Sequence, residues 1–164
     1  SRRPSMSNAA DLAKFANDGL SGAVLQVVQD TELTGLTTTS TSFADNAGLS
    51  VSITPQSTSN KILVLAQFGM IASDSWNGGI GYYTIFRDST NLGDSSLGAV
   101  ALYQNVSGSA TQAGSINYLD SPATTSAITY TMQMRTNNAS YSIGTGSYAF
   151  GNGINSITVM EIAG

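Results

Sequence analysis

The sequence predicts an all-β, antiparallel sandwich or jelly roll of about eight strands, entered through a short N-terminal helical arm. Three observations carry this. Short runs alternate apolar and polar residues with period two, as in Leu49-Ser50-Val51-Ser52-Ile53-Thr54. Gly, Asn, Asp and Pro clusters punctuate those runs at regular spacing. No helical periodicity follows residue 22. The division is an arm at 1–22 and one β-domain at 23–164, a length that suits a single core.

The arm reads as follows. Ser7 or Asn8 can cap a helix, and Asp11 suits its first turn. Leu12, Phe15 and Ala16 then share one face before Asn17-Asp18-Gly19 stops the helix. A helix this short is not stable alone in water. Its stripe packs either on its own domain or on another protein, with Arg2 and Arg3 as a basic tip beyond it.

The strands follow in order. Ala23 to Gln29 is the first, and the Thr/Ser tract at 34–42 is an extended edge or loop. Leu49 to Thr54 has one wet face and ends at Pro55. Lys61 to Ile71 is the longest apolar run: Ile62, Val64, Ala66, Phe68 and Met70 face one way, Leu63, Leu65, Gln67, Gly69 and Ile71 the other. A sandwich buries one face of each sheet. A run apolar on both sides therefore wants a second cover, either local loops or another subunit, which makes Leu63, Leu65 and Ile71 candidate subunit contacts. Asn77-Gly78-Gly79 turns the chain into Ile80 to Arg87, and Asp88 to Asn91 turns it out. Residues 92–116 are rich in Gly and Ser, with one or two short strands, and 118–122 lead into a turn. Ile128 to Arg135 alternates cleanly, 141–150 is a hairpin or loop, and Ser156 to Ala163 is the last strand.

Composition narrows function. A net charge of -4 argues against a general nucleic-acid binder, which needs basic surface to displace counterions. The chain has no Cys and no His, which removes disulfides, thiolate nucleophiles, imidazole bases and the usual zinc ligands. No cofactor or resident metal is expected; Asp88 and Asp94 bracket a loop with oxygen ligands, but without calcium-loop spacing. No apolar run is long enough for membrane insertion and no secretory leader is evident, so the reading is a near-complete gene product made in a cytoplasm. Carboxylate catalysis would fall to Asp120 and Glu161, the acids least like turn residues, although an ion pair with Arg87 or Arg135 explains Glu161 more simply. Trp76, Tyr141 and Tyr148, near turns, are the candidates for stacking on a host glycan.

Several segments resemble one family. Ser59-Asn60-Lys61-Ile62-Leu63-Val64-Leu65, the stretch from Tyr118 to Ser126, the ending Ile157-Thr158-Val159-Met160-Glu161-Ile162-Ala163-Gly164 and the first strand Gly22 to Val28 are similar, in order, to small jelly-roll domains of bacteriophage virion proteins, especially marine phage tail-fibre heads. The resemblance implies a tumour-necrosis-factor-like or C1q-like homotrimer without catalytic residues. It implies a structural or receptor-binding part of a virion, put together in the host cytoplasm. A tail fibre has a long shaft, whereas here about 22 residues precede the domain, and a ten-residue helix spans only about 15 Å. The expectation is therefore a capsid decoration (cement) protein. Its arm (Arg2, Arg3, Leu12, Phe15, Ala16) docks on a major capsid protein or a tail protein. The alternative is a tail-fibre or adhesin head that binds a host glycan; no enzymatic role is expected.

Overall fold

A computed structural model describes residues 21–44, 47–72, 79–104, 110–146 and 154–164. The arm helix, with Arg2, Arg3, Leu12, Phe15 and Ala16, lies outside the described residues, as do Trp76 and Tyr148. The described residues form strands and no helix: β1 (Val24–Glu32), β2 (Thr37–Thr38), β3 (Ser50–Ile53), β4 (Lys61–Ala72), β5 (Gly79–Arg87), β6 (Thr90–Asn91), β7 (Val100–Gln104), β8 (Ala110–Asp120), β9 (Ile128–Thr136), β10 (Ile143–Thr145) and β11 (Asn155–Ile162).

They make two sheets, and every pairing is antiparallel. β4 is the spine of the first. β8 pairs along one side of it. On the other side β11 takes residues 61–67 and β10 takes 70–72. β1 lies outside β11, and β2 outside β10. In the second sheet β9 sits between β3 and β5, and β5 carries β7 and β6 on its far side. The long strands thus run β1-β11-β4-β8 in one layer and β3-β9-β5-β7 in the other. The three strands beyond the expected number, β2, β6 and β10, are only two or three residues long.

Period-two patterning places the core. Ile62, Val64, Ala66, Phe68 and Met70 of β4 meet Tyr83 and Ile85 of β5 and Tyr130, Met132 and Met134 of β9 in one buried cluster. Fully burying each such side chain is worth about 1.5–3 kcal/mol. Phe68 and Tyr83 form a tilted ring pair across the layers, 5.3 Å between centroids, and the Tyr83 hydroxyl donates to the Gly144 carbonyl.

The segment 92–116, read as holding one or two short strands, contains β7 and the start of an eleven-residue strand, β8. Tyr118 to Asp120, expected to lead into a turn, is its last part.

Candidate functional site

The two sheets differ in what covers their outer faces. On the β3-β9-β5-β7 sheet the chain covers part of the face itself. The Arg135 guanidinium lies 4.3 Å from the centre of the Tyr82 ring and 5.3 Å from that of Phe43, and Phe43 also meets Phe86. Arg135 donates to the carbonyls of Thr41 and Ser96. Thr84, fully buried, donates to Asn91 at 2.7 Å. The chain before β3 and the loop after β6 therefore cover this face over β5 and β9, while Ser50, Ser52 and Tyr103 stay exposed toward its edges.

The outer face of the β1-β11-β4-β8 sheet is open over much of its area. Register places Val27 opposite Met160, Met160 opposite Leu63, and Leu63 opposite Leu119. These four make an apolar row across the whole sheet. Val27 is 56% exposed and Leu119 52%, while Leu63 and Met160 are half-buried. Leu65, one step along β4, is also half-buried and borders a shallow concavity of about 500 Å³ lined by Gln29, Gln67, Ser115, Asn117 and Thr158. Among the outward positions of these strands, Lys61 at the rim is the only charged residue.

Leu63 and Leu65 thus lie where the two-sided pattern of β4 put them. Ile71 does not offer a contact: it is only 7% exposed. The chain leaving β10 crosses here, with Gly146 donating to the Gly69 carbonyl at 3.1 Å. A Cβ on Gly69 would strike the Gly146 carbonyl, so glycine is what permits the crossing. The second face of β4 is therefore covered by its own chain around residues 69–71 and open around 63–65.

Both acids considered for catalysis are tied into structure. Asp120 receives Arg87 Nη1 on both carboxylate oxygens at 2.8 Å, the Tyr130 hydroxyl at 2.7 Å and the Ser121 N–H at 2.8 Å. This knot fastens β8 to β5 and β9 across the layers. Burial, then the hydrogen bond to Asp120, pushes the Tyr130 hydroxyl well above its ordinary range. Glu161 has no arginine partner, contrary to the simpler expectation: Arg87 serves Asp120 and Arg135 stacks on Tyr82. Instead Glu161, fully buried, accepts from Asn60 Nδ2, Gln56 N–H and Gln26 Nε2, each at 2.6 Å. Burial pushes its carboxyl up, but these donors outweigh that and hold it below the usual carboxylate range. Nearby, Gly22 donates to the Ala163 carbonyl and Gly164 to Asn60 Oδ1. The arm side of the domain and its C-terminal residues therefore meet at one end.

Of the other candidates, Asp94 closes its own loop by accepting from Ser96 and Leu97, and Asp88 accepts from Thr129. Among the described residues no group of three or more acids is placed to hold a metal ion. Tyr141 is half-buried against the core. The exposed aromatics on described strands are Tyr103 and Tyr118. Val27, Met160 and Leu119 were missed from sequence: each lies in a different strand, and only cross-strand register aligns them.

What fold and face define is a two-layer antiparallel β-sandwich with an apolar row across one open sheet face. No family model matches the sequence, and the curated proteins contain no match. Among solved structures it is similar to a chain of infectious bursal disease virus, Gt strain, with 12% identity over 88% of this chain and 39% of that one, at a TM-score of 0.38. It is also similar to a chain of the T=1 particles derived from infectious bursal virus (10% identity, 87% and 37% covered, TM-score 0.42) and to the VP2 subviral particle of infectious bursal disease virus (14%, 88% and 34%, TM-score 0.39). The chain spans well under half the length of these viral chains.

Proposed function

We propose that this chain is a virion structural protein: a homotrimeric jelly-roll decoration protein whose domain self-associates through the β1-β11-β4-β8 face and whose N-terminal arm docks on a capsid. The observation that carries the reading is the apolar, uncharged row Val27–Met160–Leu63–Leu119 on an open sheet face. Two further features support it. The layer orders β1-β11-β4-β8 and β3-β9-β5-β7 are those of two interlocked Greek keys, the jelly-roll arrangement. The ordered segments bearing the sequence resemblance to phage jelly rolls include β4 and β11, the two central strands of that face.

The mechanism needs no chemistry. Completing the burial of Val27 and Leu119, each a little over half exposed, contributes about 1 kcal/mol apiece per copy before association costs. With only Lys61 at the rim, little charge must be desolvated when copies meet. Three arms leaving one assembly act with avidity, since the first to dock raises the local concentration of the others. The test is deletion of residues 1–20. The expected product is a folded trimer that no longer binds capsids of its own virus; undiminished capsid binding contradicts docking by the arm.

A further inference from the structure

β8 borders its sheet, and its outer edge is unusual among the described strands. It runs 11 residues in unbroken register with β4, from Ala110 opposite Ala72 to Asp120 opposite Ile62. Backbone alternation fixes which groups face out. Gly69 donates its N–H to Asn155 and accepts from Gly146, both on the β10 and β11 side of β4. Odd-numbered residues of β4 thus turn their N–H and C=O toward β11, and even-numbered ones toward β8. On β8 the even-numbered residues complete that ladder. Thr111, Ala113, Ser115, Asn117 and Leu119 direct N–H and C=O outward, and among the described residues nothing pairs with them.

Folded proteins blunt such edges with charge, proline, a bulge, short length or a cover. The β1 edge carries Asp30 and Glu32 and a bulge between Val24 and Gln26, and it is stitched to β3 by Ser50 N–H on Asp30. β3 has four residues and β7 five. From Thr111 to Leu119, β8 has no charge, no proline and no bulge.

We propose that the β8 edge pairs with β8 of a second copy, antiparallel across a twofold axis at Ser115. The edge is self-complementary in this register. Ser115 meets Ser115, Ala113 meets Asn117 and Thr111 meets Leu119, so every residue with outward backbone groups meets another of that kind. No like charges oppose each other. The contact is separate from the sheet face proposed above and does not rest on it.

Sedimentation velocity of the full chain tests this, using Leu63→Asp to remove the face contact. That variant is expected to show concentration-dependent dimers. Adding Ser115→Pro removes an outward N–H but no ladder bond to β4, a position where an edge strand tolerates proline. It is expected to weaken dimerisation at least about tenfold while leaving the far-ultraviolet spectrum unchanged. Where the proline disturbs folding, Ser115→Lys keeps the backbone and sets two ammonium groups opposite each other, with the same expected loss. Dimers of equal strength in a folded Ser115→Pro or Ser115→Lys chain overturn the proposal. So does a Leu63→Asp chain that stays single at every concentration, including one that captures an extended synthetic peptide instead. Failure of the face contact shows separately, as unchanged assembly on Leu63→Asp alone.

Discussion

Glu161 is fully buried and faces three neutral donors, not a cation, so its charge is held by geometry. Glu161→Gln places an NH2 where an oxygen accepted, setting donor against donor. The expected cost is about 2 kcal/mol, read as a fall in thermal midpoint of about 4–8 °C. The pH dependence has a definite sign. The folded carboxyl lies below its ordinary value of 4.5, so its contribution is fully present above that value and is lost as pH falls through the folded pKa. Glu161→Gln should remove that part of the acid sensitivity; an unchanged slope of stability against pH below 4.5 contradicts the assignment. At the other knot, Tyr130→Phe takes one donor from Asp120 but leaves Arg87 in place, so chemical denaturation should show a loss of about 1.5 kcal/mol. Sequence alone showed that Asp120 and Glu161 were unlike turn acids. It did not show their partners, because Gln26, Asn60 and Tyr130 are brought near only by the closed sandwich.

At the scale of elements, β4 was the most legible and β8 the least. β4 stands out as the longest apolar run because it lies between strands on both sides and its inner face is buried. In β8 the outward residues from Thr111 to Asn117 are small or polar and Gly114 faces inward beside Phe68, so the period-two signal fades into apparent loop. The two-sided apolar character of β4 had two causes that composition cannot separate. Around Ile71 it answers to the chain's own crossing at Gly146, and around Leu63 and Leu65 to an open face. A charge at Leu63 should therefore act on assembly more than on folding. Leu63→Asp is expected to shift the thermal midpoint of the dissociated chain only slightly while abolishing face-mediated association in light scattering. Ile71→Asp, buried in its own chain, is expected to destabilise the fold by about 3 kcal/mol or more.

The whole molecule is asymmetric: one layer is covered over its central strands by its own loops, while the other presents an apolar row with one lysine at its rim. Gly22 bonds to Ala163, so whatever precedes β1 departs beside β11, at the end where Lys61 and Ile162 pair. The overall two-layer order was legible from turn spacing and alternation, but which layer stays open was not, since the covering contacts of Phe43 with Phe86 and of Arg135 with Ser96 join residues far apart in sequence. The most direct measurement is native mass at micromolar concentration for the wild-type chain beside Leu63→Asp. The expected result is three copies of the 16.9 kDa chain, or a multiple of three, with threefold assembly lost in the variant. A wild-type chain that remains single, at 16.9 kDa, contradicts the account.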